Sequence, residues 1–147
     1  MSVSETETPP SLTALTTYLL SNVGKTARTR LAERLAEHGQ RLWHMAVLAA
    51  LADFGPHAQR DLAARLGIDP SDMVKIVDEL ATAGQVERNR DQTDRRRVSV
   101  TLTPAGRSAL AALTAEANAV QDAVLAPLTE PERAQLHALL TRVHQGG

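Results

Sequence analysis

The chain has 147 residues, 43% of them hydrophobic, and a formal net charge of −1, which allows one domain with a moderate core. It has no cysteine, which excludes disulfides, thiolate metal ligands and a thiol-based oxidant sensor. It shows neither a signal peptide nor an apolar run of membrane-spanning length, so we expect a cytoplasmic protein. Because the net charge is slightly negative, binding to nucleic acid would need positive charge concentrated in one part of the chain.

The N-terminal part of the chain is predicted to be helical after a short tail. Residues 1–10 are polar and acidic and end in two prolines, which favours a disordered tail. Apolar residues then recur at helical spacing over 11–38. A second helical pattern covers 41–53, before Gly55 and Pro56 interrupt the chain.

The middle of the chain has the pattern of a helix-turn-helix. A short helix that begins near Gln59 ends at Gly67, and glycine suits the left-handed conformation that commonly follows a helix. A second helix is predicted over 71–83 and ends before Gly84. Two short helices joined by a glycine-containing turn are typical of this DNA-binding motif.

The second of these helices is the predicted recognition helix. Its apolar residues follow the spacing i, i+3, i+4, i+7 and should face the core: Met73, Ile76, Val77 and Leu80. The opposite face, near the N-terminal end, offers four candidates for contact with bases or phosphates: Ser71, Asp72, Val74 and Lys75. The alternatives are that Ser71 is only an N-cap, Asp72 only a first-turn acid, and Lys75 only a solvated cation.

A hairpin with an arginine-rich tip follows. Val98, Val100 and Leu102 alternate with polar residues, as in a strand with one buried face. Five cations on this projection are predicted to form a DNA-binding wing: Arg88, Arg90, Arg95, Arg96 and Arg97. Asp94 lies two residues before Arg96, close enough to pair with it and hold the tip in shape. The alternative is that the arginines only solubilise the surface.

Two more helices close the chain. Thr103 and Pro104 match an N-cap followed by proline at the first helical position. Thr129 and Glu132 match a capping box for the last helix. The apolar face of that helix contains Leu136, Leu139, Leu140 and Val143. Such a face would bury well against a second copy of the chain.

These patterns predict a mainly α fold with a small β-hairpin wing. We expect a disordered tail over 1–10 and a winged helix-turn-helix lobe over 41–103 that binds DNA. The flanking helices over 11–38 and 104–147 are predicted to form the dimerisation region.

Two sets of residues match a known family. At the wing, Asp91-x-x-Asp94-x-Arg96 is followed by Leu102-Thr103-x-x-Gly106. In the helix-turn-helix, Leu62-Ala63-x-x-Leu66-Gly67 is followed by Val77-Asp78-x-Leu80 and then Gly84. With these motifs the chain resembles the MarR (multiple antibiotic resistance regulator) family of winged helix-turn-helix transcription factors from Ser11 onward. Asp72 departs from the pattern, since a small hydroxylated residue is common at its position.

The resemblance implies a homodimer held by the first and last two helices. Two winged lobes would straddle a pseudo-palindromic operator, with half-site centres roughly 10 bp apart. Arg95 or Arg96 would reach the minor groove. The role implied is repression of a neighbouring operon, released by a small, often aromatic or phenolic, ligand.

The resemblance also implies a ligand site between the dimer helices and the lobe, for which the candidates are Tyr18, Trp43, His44 and Met45. Alternatively, Trp43 and Met45 belong to the core and His44 is a hydrogen-bonded polar residue. We expect no cofactor and no metal, because His38, His44 and His57 lie in different elements.

The first functional hypothesis is therefore a dimeric, sequence-specific regulator that binds double-stranded DNA. The alternative is a winged-helix module that binds only proteins, which the near-neutral charge and Asp72 favour. An enzyme is not expected, since no nucleophile–base set, phosphate-binding glycine loop or metal-ligand spacing is present.

Overall fold

The computed structural model describes residues 7–90, 93–94 and 96–147. These residues form a mainly α fold with a small antiparallel sheet, which confirms the predicted fold class. Residues 1–6 of the predicted tail lie outside this description. The elements are α1 (Pro10–Thr13), α2 (Thr16–Ala36), α3 (Leu42–Phe54), β1 (His57–Ala58), α4 (Gln59–Leu66), α5 (Pro70–Thr82), β2 (Val86–Arg90), β3 (Val98–Leu102), α6 (Pro104–Val124) and α7 (Glu130–Gly146).

The chain divides into two compact units. The first, Leu31–Ala117, contains the end of α2, all of α3, α4 and α5, the sheet, and the start of α6. The second contains the described residues before Leu31 together with Asn118–Gly147. The helix-turn-helix and the hairpin therefore belong to the same unit.

The core of the first unit fixes the orientation of α5. Its large, fully buried side chains come from α3, α4, α5 and β3, with one leucine from each of α2 and α6: Leu35, Val47, Leu48, Leu51, Leu62, Met73, Val77, Leu80, Val100 and Leu113. The predicted stripe of α5 is confirmed, since its four apolar residues are all buried. Burying a side chain of this size contributes about 1.5–3 kcal/mol. The stripe therefore holds α5 in one rotation and leaves its opposite face in solvent.

The sheet has the strand order β1-β3-β2 and is antiparallel. β2 and β3 pair from Val86 opposite Leu102 to Arg90 opposite Val98, which confirms the predicted hairpin. Val100 is fully buried at the centre of β3. β1 adds a third strand in which His57 lies opposite Val100. The sequence did not indicate β1, because two residues are too few to show an alternating pattern.

The N-terminal helical pattern differs from the prediction. One helix was expected over 11–38, whereas the structure has α1 and α2 separated by a turn. At this turn the backbone tightens to an i→i−3 hydrogen bond, in which the Leu15 N–H donates to the Leu12 carbonyl. No helix in the described part of the chain is long and apolar enough to cross a membrane.

Gly106 lies where the hairpin meets α6. Thr103 caps this helix as predicted: its Oγ1 accepts from the Gly106 N–H at 3.0 Å and donates to the Gly84 carbonyl at 2.6 Å. A Cβ at position 106 would overlap the Gln85 carbonyl oxygen and the Leu102 side chain. The close approach of the backbone thus explains why glycine is required at this position.

The capping box of α7 is confirmed. Thr129 Oγ1 accepts from the Glu132 N–H, and the Glu132 carboxylate accepts from the Thr129 N–H at 2.9 Å. That backbone bond holds the pKa of Glu132 below its usual range. The apolar face of α7, by contrast, is largely exposed in the single chain, with Val143 at 65%.

Candidate DNA-binding surface

Asp69 caps the N-terminus of α5. Its carboxylate accepts from the Ser71 hydroxyl at 2.5 Å and from the Ser71 N–H at 2.9 Å. The bond from the hydroxyl, and then that from the N–H, lower the pKa of Asp69. The alternative that Ser71 is the N-cap is therefore wrong. Because its proton is donated to Asp69, the Ser71 oxygen is left as an acceptor, which suits an amino group on a base.

The four residues predicted to read DNA are all exposed in the first two turns of α5, and we call them the reading face: Ser71, Asp72, Val74 and Lys75. Val74 is 42% exposed although it is apolar. The structure therefore brings these residues together on the side of α5 that the core leaves free. Their contacts with DNA stay a prediction.

Arg88, in β2, binds to the helix-turn-helix. Its Nη1 lies 2.6 Å from Asp78 Oδ1, and its Nη2 donates to the Val74 carbonyl at 3.2 Å. Its Nε donates to Gln59 Oε1 at 3.1 Å. All three guanidinium nitrogens are thus engaged within the chain, which argues against the phosphate contact predicted for this arginine.

The other wing arginines fall into two groups. Arg97 Nη2 lies 3.4 Å from the Asp61 carboxylate on α4. Arg90 and Arg96 are exposed, and their side chains have no partner among residues 7–90, 93–94 and 96–147. Arg95 lies outside the described residues. Arg90 and Arg96 are therefore the described wing cations that remain available for a phosphate.

Asp94 organises the described part of the hairpin tip. Its carboxylate accepts from the Arg96 backbone N–H at 3.0 Å, and its carbonyl accepts from the Arg97 N–H at 3.0 Å. The expected pairing of Asp94 with Arg96 thus runs through the main chain, since an aspartate readily bonds to the N–H two residues ahead. The Arg96 guanidinium is therefore left without a partner in the part of the hairpin that the structure describes.

A second group of polar residues holds α5 from the side of α3. Arg41 Nη2 donates to both carboxylate oxygens of Glu79 at 3.0 Å. His44, which is 4% exposed, accepts from the Arg41 N–H at its Nδ1, so the neutral ring carries its proton on Nε2. That Nε2 lies 3.1 Å from Glu79 Oε2. The hydrogen bond from Arg41 lowers the pKa of Glu79.

This lowered pKa predicts acid sensitivity. A carboxylate whose pKa is lower in the folded than in the unfolded state stabilises the fold above its unfolded pKa, and the contribution is lost as the pH falls through the folded pKa. Glu79→Gln should therefore lower the melting temperature at neutral pH and reduce the further decrease below about pH 4. Thermal unfolding followed by circular dichroism measures both, with Glu87→Gln as the exposed control. An unchanged pH dependence in Glu79→Gln would contradict this role.

The ligand candidates have different environments. Trp43 is 50% exposed, so the alternative that it belongs to the core is wrong. Met45 packs partly buried against the core, and His44 has partners at both ring nitrogens. Tyr18 is half-buried on α2 in the other compact unit. Within the described residues, no group of three or more His, Asp or Glu side chains could hold a metal ion.

An exposed helix face beside a basic hairpin, both built on one core, defines a winged helix-turn-helix protein. A family model described as MarR family matches residues 38–97. A protein named as a transcriptional regulator for the hcr operon of Thauera aromatica is 32% identical over 99 residues, which are 67% of this chain. The match spans 60% of that relative's length.

Solved structures agree in fold. A crystal structure described as a probable transcriptional regulator from Pseudomonas aeruginosa is 30% identical, with a TM-score of 0.73 over 90% of this chain and 98% of that one. The Mycobacterium tuberculosis MarR family protein Rv2887 in complex with DNA is 26% identical, with a TM-score of 0.77 over 93% and 98%. The same protein in complex with p-aminosalicylic acid has a TM-score of 0.73 over 88% and 98%. The chain belongs to the MarR family of transcriptional regulators.

Proposed function

We propose that this chain is a homodimeric, sequence-specific regulator that binds a pseudo-palindromic DNA operator and represses a neighbouring operon. One observation carries the proposal: Arg90 and Arg96, two wing cations without a partner among the described residues, belong to the same unit as the exposed reading face of α5. Cations without internal partners can neutralise phosphates and release counterions. The complex of Rv2887 with DNA supports the same use of this fold.

In the proposed complex, the reading face of α5 enters the major groove and the wing reaches the adjacent minor groove. Val74 packs against a thymine methyl, Lys75 bonds to a guanine or a phosphate, and Ser71 accepts from a base amino group. Asp72 accepts from cytosine N4. Arg95 and Arg96 contact the minor groove, so the wing contributes affinity more than specificity. The lobe over 41–103 performs this recognition in the cytoplasm.

The dimer would be formed by the helices over 11–38 and 104–147. In the single chain, apolar residues of α2, of the residue just before it and of α7 are exposed at helical spacing: Leu15, Leu19, Val23, Leu139, Leu140 and Val143. Apolar helix faces of this extent typically mark an interface. Two lobes on one dimer would match half-sites whose centres lie roughly 10 bp apart.

The proposed effector is a small aromatic or phenolic acid that releases the protein from DNA. Rv2887 has been crystallised with p-aminosalicylic acid, which supports this ligand class. Tyr18, Trp43 and Met45 remain the candidate contacts, and the exposed ring of Trp43 is the one best placed to stack on a ligand. His44 is buried and already has hydrogen-bond partners at both ring nitrogens.

The second candidate function is a winged-helix module that binds only proteins. It is favoured by Asp69 and Asp72, which place two carboxylates at the end of α5 that would face DNA. A carboxylate near phosphates opposes binding by like-charge repulsion.

A gel shift with the DNA upstream of the chain's own gene separates the two functions. The wild type should bind that fragment, and Arg90→Ala with Arg96→Ala should weaken binding to it and to a shuffled fragment by about tenfold or more. The control Arg30→Ala with Arg142→Ala removes the same charge from exposed positions in the other unit and should bind like the wild type. Equal affinity of the wing variant and the wild type would refute the wing assignment.

A further inference from the structure

We propose that Arg88 is a positioning residue for DNA recognition: it fixes the recognition helix against the wing and thereby sets base discrimination without touching DNA. This inference rests on the proposed DNA binding and assigns Arg88 a role different from that of Arg90 and Arg96.

The Arg88 guanidinium is fully engaged within the chain. Arg88 uses Nη1 for Asp78, Nη2 for the Val74 carbonyl and Nε for Gln59. These acceptors lie on two helices, and Arg88 itself lies on a strand, so one side chain joins α4, α5 and β2. Only arginine can do this, because its fork carries five N–H donors in a fixed plane.

Arg88 contacts α5 next to the reading face. Val74 and Asp78 are four residues apart, so they are successive on one side of the helix. Val74 also belongs to the reading face, and its carbonyl is the atom that Arg88 binds. The contact therefore sets the distance between a proposed base-reading side chain and the strand that leads to the wing tip.

The two arginines of β2 differ in their pairing. Both are exposed, but Arg88 is paired within the chain, whereas Arg90, two residues later, has no partner among the described residues. Successive odd or even positions of a strand share a face. The same strand face thus carries an internal link at Arg88 and an available cation at Arg90.

Arg90 and Arg96 would thus contribute to affinity for DNA, and Arg88 to discrimination between base sequences. The buried stripe of α5 and Val100 hold the lobe together without Arg88. Loss of the link should leave the lobe folded but let α5 and the wing shift relative to each other. Contacts with bases depend on the position of α5 relative to the wing, whereas contacts with phosphates tolerate small shifts.

The test compares Arg88→Lys and Asp78→Asn with Arg96→Ala, each on the upstream fragment and on a shuffled fragment at several salt concentrations. Arg88→Lys and Asp78→Asn should each reduce the ratio of the two affinities by about tenfold. The salt slope should stay at the wild-type value, and the double variant should lose no more than either single one. Arg96→Ala should instead lower both affinities together and reduce the slope by about 0.9 for each lost phosphate contact.

Two outcomes would overturn the proposal. If Arg88→Lys and Asp78→Asn both keep the wild-type ratio, Arg88 does not position the helix. A further variant, Arg88→Gln, removes the charge that Arg88→Lys keeps. If Arg88→Gln lowers both affinities and the salt slope as Arg96→Ala does, Arg88 is a phosphate contact. If the wild type binds neither fragment in a salt-dependent way, the proposed function itself is refuted. This result is distinct from the two outcomes that overturn the role of Arg88.

Discussion

Leu19→Glu with Val143→Glu should convert the protein from a dimer into a monomer and reduce affinity for the upstream DNA by about a thousandfold or more, towards the non-specific level. Both residues are exposed in the single chain, at 45% and 65%. In a dimer interface, each introduced carboxylate would be buried without a partner, which costs several kcal/mol. Because an operator of two half-sites needs two lobes, a monomer keeps only half of the contacts.

Sedimentation equilibrium measures the assembly and a gel shift measures the binding. The control is Ser21→Glu with Gln145→Glu, which adds the same charge on the opposite sides of α2 and α7, where both residues are exposed. The control should remain a dimer with wild-type affinity. A Leu19→Glu/Val143→Glu variant that is still dimeric would show that these faces are not the interface.

Gly106→Ala should be the most destabilising single substitution among the glycines. The added Cβ would overlap the Gln85 carbonyl oxygen, which is held in place because it accepts from the Thr103 N–H at 3.2 Å. A backbone atom cannot move aside as the end of a flexible side chain can. Over-packing of this kind costs about 1–3 kcal/mol, which lowers the melting temperature by roughly 2–12 °C for a chain of this size.

Gly24→Ala is the matched control for this substitution. Gly24 lies within α2, and a Cβ there meets nothing within 4 Å. Alanine in a helix interior is favoured over glycine by about 0.5–1 kcal/mol, so this variant should melt at a higher temperature than the wild type. A Gly106→Ala variant that melts at the wild-type temperature would contradict the requirement for glycine beside the Gln85 carbonyl.

The features predicted correctly from the sequence are those set by neighbouring residues. The buried stripe of α5, the Thr103 cap of α6 and the capping box of α7 each depend on spacings of a few residues. The pairing of β2 with β3 follows from the alternation around Val100. These patterns are local because hydrogen bonding and burial repeat with the period of the helix or strand.

The features that the sequence did not reveal depend on contacts between distant residues. In the sequence, Arg88 is only one of the five arginines of the predicted wing. The fold shows that Asp78 and Gln59 lie within hydrogen-bonding distance of it. The Glu79–Arg41–His44 group likewise joins residues more than thirty positions apart. In the sequence, Asp78 and Glu79 are only two further charged residues on the exposed side of α5, which also carries Asp72 and Lys75.

The structure thus divides the predicted wing into two kinds of arginine. Arg88 and Arg97 are paired with carboxylates of the helix-turn-helix, whereas Arg90 and Arg96 have no partner in the described part of the chain. A net charge of −1 is compatible with DNA binding because the positive charge that matters is local, and the wing supplies two arginines without a partner in that described part.

The salt dependence of binding to the upstream DNA tests the central claim most directly. A protein that makes six to ten phosphate contacts loses roughly 10³–10⁵ in affinity between about 50 and 200 mM salt. We expect a loss in this range for the wild type. We also expect a shallower slope, by about 3.6 for a dimer, after Arg90→Ala with Arg96→Ala if each arginine contacts one phosphate. Binding that is equally strong at both salt concentrations, or absent at both, would contradict recognition of DNA by this lobe.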